Sequence, residues 1–299
     1  MKLQGTFTAL ITPFKQGKLD EEGLELLISR QIEAGVQGIV LLGSTGEDST
    51  LEEEEKKRVV EIGVRLAKGK LLLIVGTGHY STQVTIEKTV KAKNWGADVA
   101  LVVTPYYNRP TQEGIFRHYE AISKACDLPI LLYNVPGRTG ANIEATTMER
   151  IAALPHVLGV KECSGNFALS TEYLNIHPDF TVLAGDDGFT LPLMALGAKG
   201  VVSVASNLVP KEMIRLVNAA SVGNYEEARK IHFELLPFFQ AEFIESNPIP
   251  IKEALELCGL PSGGVRLPLW KLRPENRKIL AEAIEALELS ETKQHLQMR

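Results

Sequence analysis

A lysine at the end of an apolar segment is the residue that most directly suggests covalent chemistry. Lys161 lies in residues 157–166, an apolar run that ends at Gly165 and Asn166 and therefore predicts a buried strand followed by a turn. Alternation along the strand places Lys161 and Cys163 on one face. If that face is interior, burial lowers the pKa of the amine, and a neutral amine can form a Schiff base with a carbonyl compound. The alternative is a lysine whose side chain reaches from the strand end to solvent.

The elements that would position this lysine alternate regularly. Short segments rich in Val, Ile and Leu, typical of parallel strands covered by helices, alternate with helical patterns over about 205 residues. Eight strand-then-helix units predict a (β/α)₈ (TIM) barrel, and an open doubly wound sheet is the alternative. The predicted strands are 6–11, 38–42, 71–75, 99–103, 130–133, the segment around Lys161, 181–184 and 200–204. The predicted helices are 20–34, 52–67, 81–95, 111–125, 143–153, 168–176, 188–196 and 211–220.

Beyond Val209 the strand pattern stops, and helical spacing continues at residues 225–239, 251–257 and 274–289. We predict a catalytic (β/α)₈ barrel over residues 1–224 and a helical C-terminal extension over 225–299, packed on the barrel, whose last ~10 residues fray. The prolines expected to separate the later helices are Pro237, Pro248, Pro250, Pro261 and Pro268.

The composition is that of an ordinary globular protein. Of the 299 residues, 44% are apolar and 23% are charged, and a net charge of −5 with scattered lysines and arginines argues against nucleic-acid binding. Cys126, Cys163 and Cys258 are far apart without a CxxC partner, which fits a reducing compartment. No apolar run reaches the ~20 residues of a membrane span, and the start lacks the apolar core of a signal peptide. We therefore expect a cytoplasmic location.

In such a barrel the residues that end strands meet at one rim. Glycines flanking Ser44 and Thr45 would let backbone N–H groups approach a carboxylate, although the segment could also be an ordinary strand-to-helix turn. Tyr133 lies on the strand next to that of Lys161, where a phenol could pass protons during imine formation or simply pack in the core. Arg138 on the loop beyond offers two parallel donors to a second carboxylate, or is solvated.

Other kinds of site have less support. The six histidines form no HxH or HExxH set, so no metal site is predicted. Residues 76–78, Gly-Thr-Gly, lack the third glycine of a dinucleotide fingerprint. The acidic loop 185–188 argues against a phosphate cradle, and hence against pyridoxal phosphate as the partner of Lys161. We expect neither a metal nor an organic cofactor.

Five motifs, in order and at matching spacing over residues 5–289, resemble the 4-hydroxy-tetrahydrodipicolinate (dihydrodipicolinate) synthase family. They are GSTGE at 43–47, TPYYNRP at 104–110, YNVPGRTG at 133–140, VKECSGN around Lys161 and NPIP at 247–250. The resemblance implies a metal-free, class I condensation of pyruvate with aspartate-4-semialdehyde, the first committed step toward diaminopimelate and lysine. It also implies a homotetramer built as a dimer of tight dimers.

The resemblance further implies roles for individual residues. Lys161 would form the Schiff base with pyruvate, and Tyr133 would carry protons to and from it. Ser44, where the family often has threonine, would supply a hydroxyl to the proton relay. Thr45 would hold the pyruvate carboxylate and relay protons. Arg138 would bind the carboxylate of the semialdehyde.

Three more residues are assigned by the same resemblance. Tyr107 would be lent across the tight-dimer interface, and Gly185 and Val202 would help to bind substrate.

Arg138 separates the synthases from sialic acid lyases and sugar-acid aldolases, which share the lysine and the tyrosine. A lyase for N-acetylneuraminate or a keto-deoxy sugar acid is therefore one alternative function, and a non-catalytic small-molecule binder is another.

One departure from the family concerns feedback inhibition. Lysine-inhibited members have asparagine where Tyr80 stands and glutamate where Val84 stands, and several have histidines near Glu53 and Lys56. An apolar Val84 cannot pair with the ammonium group of an effector, and a cationic Lys56 would repel it. The sequence therefore predicts weak or absent inhibition by lysine.

Overall fold

The computed structural model describes residues 2–287 of the chain. Eight parallel strands close into a barrel in which each strand pairs with the next, and the eighth pairs with the first. The (β/α)₈ prediction is confirmed, and the open-sheet alternative is wrong. The strands are β1 Gly5–Ala9, β2 Gly38–Leu41, β3 Leu72–Gly76, β4 Val99–Val103, β5 Ile130–Asn134, β6 Val157–Glu162, β7 Thr181–Ala184 and β8 Gly200–Ser203.

Helices follow the strands and cover the outside of the barrel. Almost every strand residue is buried, because inward side chains fill the barrel and outward ones pack under helices. Asp20, Ser81 and Thr111 each begin a helix by accepting a backbone N–H bond, as short polar caps do. The helices are α1 Glu21–Ala34, α2 Glu53–Ala67, α3 Thr82–Trp95, α4 Gln112–Ala125, α5 Ala145–Ala152, α6 Phe167–Leu174, α7 Thr190–Ala195 and α8 Pro210–Ser221.

The C-terminal part of the described chain is helical, as predicted. It contains α9 Tyr225–Ala241, α10 Ile249–Leu257 and α11 Pro274–Ala286. The domain boundary at residue 224 stays a prediction. The predicted end of the last helix at 289 and the predicted frayed tail lie outside the described residues.

Pro237 does not separate two helices, so that prediction is wrong. It lies inside α9, where Leu235, Phe238 and Phe239 are all buried. An interior proline costs about 3 kcal/mol, whereas burying each of these side chains contributes about 1.5–3 kcal/mol. Apolar packing therefore keeps the helix continuous across the lost hydrogen bond.

Two short elements near the barrel rim were not predicted. A hairpin pairs Phe14–Lys15 with Lys18–Leu19 directly after the first barrel strand. A one-turn helix, Pro136–Thr139, follows β5 and carries Arg138.

Within residues 2–287, no helix is both long and apolar enough to cross a bilayer. The same range brings no three His, Cys, Asp or Glu side chains together as metal ligands, and the expectation of no metal stays a prediction.

Candidate active site

Lys161 and Tyr133 lie side by side on adjacent strands. The parallel register of β5 and β6 places Tyr133 opposite Lys161. The Nζ atom of Lys161 lies 4.4 Å from the centroid of the Tyr133 ring. Only 4% of Lys161 and 6% of Tyr133 is exposed. The lysine therefore does not reach out to bulk solvent, and an amine and a phenol meet in a dry environment.

The surroundings of Lys161 favour its neutral form. Burial lowers the pKa of the amine, because the ammonium form loses its hydration. The Cys163 thiol acts in the opposite direction, Arg138 lowers the pKa further, and the carboxylates of Asp187 and Asp186 raise it. The net effect is a pKa below that of an exposed lysine. The nucleophilic form is therefore more populated at neutral pH than it is in water.

Tyr133 is held as a protonated phenol. Burial raises its pKa above the ordinary value, and the nearby Cys163 acts in the same direction. Arg138 and a hydrogen bond with Ser44 lower the pKa of Tyr133 but do not outweigh burial. The phenol thus keeps a proton to donate, and the Ser44 hydroxyl is its hydrogen-bonding neighbour. This pair provides the start of a proton path.

A cavity of about 190 Å³ opens at the C-terminal rim of β2 to β5. Its lining includes Ser44, Tyr106, Tyr133 and Arg138, whereas Lys161 adjoins it through Tyr133. A larger cavity of about 530 Å³ lies between α9 and α11, with Glu282 as its only titratable lining residue. Of these two cavities, the smaller one is suited to catalysis by the Lys161 amine, because a phenol, a hydroxyl and a guanidinium line it beside that amine.

Two glycines that matched no cofactor motif are needed to shape this cavity. A Cβ atom on Gly76 would stand 2.0 Å from the carbonyl oxygen of Leu42, and one on Gly78 would stand 2.4 Å from the backbone nitrogen of Val103. The loops after β2, β3 and β4 can approach one another because both positions lack a side chain. The Gly-Thr-Gly segment therefore serves close backbone packing at the rim.

Asn247 belongs to the NPIP motif, but the sequence predicted no role for this residue. In the structure it connects two candidate binding residues. Its side-chain nitrogen donates to the Thr45 hydroxyl over 2.8 Å, and its backbone oxygen accepts from Arg138 Nη2 over 3.0 Å. Thr45 is buried, and Asn247 lies just before α10. The C-terminal extension thus holds a hydroxyl and a guanidinium in place at the rim.

A buried ion pair anchors the loop that carries Ser44 and Thr45. Nζ of Lys252 lies 2.7 Å from Glu47 Oε1 and 2.9 Å from the carbonyl oxygen of Thr12, and both charged side chains are only 1% exposed. The backbone N–H of Arg266 donates to the second Glu47 oxygen over 3.0 Å. Nζ of Lys252 also lies 4.1 Å from the Phe14 ring centroid. Burial lowers the pKa of Lys252 to about 8 against the opposing effect of Glu47.

Comparison with known proteins decides the relationship that the motifs suggest. Residues 2–287 match the model of the dihydrodipicolinate synthetase family. The chain belongs to this family. A 4-hydroxy-tetrahydrodipicolinate synthase of Protochlamydia amoebophila is 52% identical over 292 residues, 96% of this chain and 97% of the relative. The family resemblance is therefore confirmed, and the chain is an enzyme of the lyase class.

Solved structures of the family share the whole fold. Dihydrodipicolinate synthase from Aquifex aeolicus superimposes with a TM-score of 0.94 at 42% identity, covering 96% of this chain and 99% of its own. The chloride-inhibited enzyme from Acinetobacter baumannii, solved in complex with pyruvate, gives 0.94 at 40% identity with the same coverage. The barrel and the C-terminal helices are thus common to this family.

Two residues that the family resemblance assigns to substrate binding have different surroundings. Gly185 follows β7, and a Cβ atom there would stand 2.0 Å from Cys163 Sγ and 2.8 Å from Lys161 Cε. Val202 is fully buried on β8, opposite Phe7 of β1, and does not line the cavity. Gly185 therefore gives Lys161 its space, and substrate binding by Gly185 and by Val202 stays a prediction.

Gly185→Ala is expected to lower kcat by about 10²-fold, the order of effect of a misplacement near 1 Å. The added methyl group must displace Lys161, Cys163 or both. Steady-state kinetics would measure the loss. Gly137→Ala is the matched control, because no heavy atom lies within 4 Å of its added Cβ. An unchanged kcat in Gly185→Ala would contradict this account.

Tyr107 does not reach the cavity of its own chain. It is 87% exposed, has a positive φ of 70°, and its ring centroid lies 6.3 Å from that of Tyr80. Tyr106, its neighbour, lines the cavity instead. In this family member, the role of Tyr107 across a dimer interface therefore stays a prediction, and Tyr106 is a lining residue to which sequence reasoning gave no role.

Proposed function

We propose that the chain condenses pyruvate with L-aspartate-4-semialdehyde to give 4-hydroxy-tetrahydrodipicolinate. The observation that carries the proposal is the buried contact between the Lys161 amine and the Tyr133 ring, in which the amine is driven toward its nucleophilic form. Relatives that bear this activity in their names, at up to 52% identity, support the choice of substrates.

The reaction begins at the neutral Lys161 amine, which attacks the keto carbon of pyruvate. Tyr133 donates a proton to the resulting hydroxyl so that water can leave and an imine can form. Loss of a methyl proton then gives an enamine, whose carbon attacks the aldehyde of the second substrate. The amino group of that substrate displaces Lys161 and closes the ring, so one water is lost overall and the lysine is regenerated.

Two carboxylates must be recognised in this reaction. Thr45, held by Asn247, is proposed to bind the pyruvate carboxylate near the rim. Arg138 is exposed at the cavity and tethered through a single nitrogen, Nη2, to the Asn247 carbonyl. Other guanidinium donors therefore remain for the carboxylate of the semialdehyde. A cation at this position suits a substrate with a carboxylate better than the neutral polyol chain of a sugar acid.

A coupled assay with pyruvate and aspartate-4-semialdehyde tests the proposed function directly. Borohydride treatment in the presence of pyruvate should reduce the imine and leave a stable adduct on the peptide that contains Lys161. Faster cleavage of N-acetylneuraminate or a keto-deoxy sugar acid would favour the alternative lyase. A chain without adduct and without turnover would favour a binding protein.

Tyr133→Phe is expected to lower kcat by roughly 10²–10⁴-fold, the usual contribution of a positioned acid–base group. The phenyl ring keeps the contact with Lys161 but has no proton to transfer. Adduct formation under borohydride should become slower in proportion, because imine formation also needs that proton. Tyr173→Phe, which removes a buried hydroxyl bonded to a backbone carbonyl, is the control. Near-normal turnover in Tyr133→Phe would place the proton path elsewhere.

Weak or absent inhibition by lysine is expected in a steady-state titration. Lys56 and Lys88 both pair with Asp48, over 3.3 and 2.8 Å, and Asp48 lines the cavity. A lysine effector would bring a third ammonium group to this carboxylate, and Val84 offers it no acceptor. Val84→Glu is the matched variant, expected to increase inhibition. Half-inhibition of the unmodified enzyme at sub-millimolar lysine would overturn the prediction.

We also propose that the enzyme acts in the cytoplasm as a homotetramer of tight dimers, with residue 224 as the boundary of the barrel domain. The exposed Tyr107, next to Tyr80, supports an interface beside the cavity. All three cysteines, Cys126, Cys163 and Cys258, are free thiols, which suits a reducing compartment.

A further inference from the structure

Two carboxyl groups that the mechanism does not use are buried together behind the catalytic lysine. Glu242 directly follows α9, and Asp187 lies on the turn after β7; both residues are 0% exposed. Within residues 2–287, neither carboxylate oxygen of Glu242 and only one oxygen of Asp187 receives a hydrogen bond from a donor. An ionised carboxylate without donors is strongly disfavoured in such a place.

The contacts of Asp187 define which oxygen is free. Its Oδ2 atom accepts from the backbone N–H groups of Val204 and Ala205, over 2.8 and 3.0 Å. Its Oδ1 atom has no such donor. α9, which ends one residue before Glu242, packs against the turn that carries Asp187, and the two carboxyl groups interact directly. Two carboxylates cannot bond to each other unless one of them carries a proton.

We propose that Glu242 keeps its proton at neutral pH and donates it to Oδ1 of Asp187, so that the two buried groups carry a single negative charge. This proton makes Glu242 the hydrogen-bond donor that Oδ1 of Asp187 otherwise lacks. Burial raises the pKa of Glu242 well above the ordinary value, and Asp187 and Asp186 act in the same direction.

The consequence for catalysis runs through Asp187 and rests on the function proposed above. Asp187 and Asp186, both from the turn after β7, are the charged groups that act on Glu242, and both also raise the pKa of Lys161. Ionisation of Glu242 would add a further negative charge to this cluster and favour the ammonium form of Lys161. Glu242 is therefore a positioning residue, which by staying neutral adds no charge of its own to the carboxylates near the nucleophile.

Infrared difference spectroscopy of the whole enzyme tests the proton without requiring turnover. The wild type minus Glu242→Gln spectrum at pH 7 to 8 should contain the C=O stretching band of a protonated carboxyl group, and Glu242→Leu should lose the same band. Either variant suffices if the other does not fold. Absence of the band from both difference spectra would overturn the proposal.

Thermal unfolding across pH gives a second test. The folded state holds a proton on Glu242 that the unfolded chain releases above its ordinary pKa, so this residue makes stability fall as pH rises from about 5 toward the raised pKa. Glu242→Gln keeps a neutral donor but cannot titrate. Its melting temperature should rise relative to the wild type between pH 5 and pH 8, and a constant difference would contradict the inference.

Kinetics then separate a positioning role from a purely structural one. The acid limb of kcat/KM for pyruvate should stay in place in Glu242→Gln, whereas Asp187→Asn, which removes the charge, should move that limb to lower pH. An unshifted limb in Asp187→Asn would refute the coupling to Lys161. If the coupled assay shows no synthase activity but the infrared band is present, the proposed function fails and the shared proton stands.

Discussion

Lys161→Ala is expected to lower turnover by about 10⁴-fold or more, the order of loss that follows removal of a catalytic nucleophile. No other described amine contacts Tyr133 as Lys161 does. In the proposed mechanism, pyruvate then cannot form an imine, and the carbon–carbon bond cannot form through an enamine. The coupled assay measures the loss, and borohydride with pyruvate should leave no adduct on the variant.

The fold is expected to survive this change, because alanine removes an amine whose charged form burial disfavours. Circular dichroism and the melting temperature should match or exceed those of the wild type. Lys211→Ala, at an exposed position on α8, is the matched control and should retain full activity and the adduct. Appreciable turnover in Lys161→Ala would show that the nucleophile is another group.

Lys252→Met is expected to destabilise the protein by about 3–5 kcal/mol, because it leaves a buried carboxylate without its partner. Glu47 would keep its bond from the backbone N–H of Arg266 but lose the ammonium group at 2.7 Å. Methionine has a similar volume, so packing contributes little to the expected loss. Urea unfolding would measure the change in free energy.

Two companion variants isolate the cause of that loss. Glu47→Gln combined with Lys252→Met removes both charges and should recover much of the stability. Lys278→Met breaks an exposed pair with Glu282, separated by 3.9 Å, and should cost less than about 1 kcal/mol. Equal losses for the exposed and the buried lysine would refute the proposed importance of the buried pair.

The barrel could be predicted from sequence because its strands are nearly continuous apolar runs. All seven strands that were predicted with explicit bounds begin and end within two residues of the observed ones, and Val99–Val103 matches at both ends. The hairpin at residues 14–19 escaped prediction because two-residue strands carry no periodic signal. The prediction that Pro237 separates two helices failed, because the burial of apolar side chains in α9 outweighed the local backbone preference of proline.

The contact between Lys161 and Tyr133 was predictable, because adjacent parallel strands of similar length bring their ends together. The contacts of Asn247 and Lys252 could not be predicted. Each residue is separated from its partner in the sequence by a long interval, 202 positions for Asn247 and 205 positions for Lys252, and no periodicity spans such distances. Glu242 gave no signal, since an acidic residue at the end of a helix usually faces solvent. Tertiary packing alone places it beside Asp187.

The joining of Glu47 to Lys252 has a consequence for how this enzyme could be recombined with its relatives. A chimera that takes its first part from one protein and its last helices from another inherits the two ion-pair partners from different parents. If one parent lacks the acid or the amine, the hybrid would contain a lone buried charge beneath the loop that carries Ser44 and Thr45. Successful crossovers should therefore transfer both partners together, so the two distant positions should change in step during divergence.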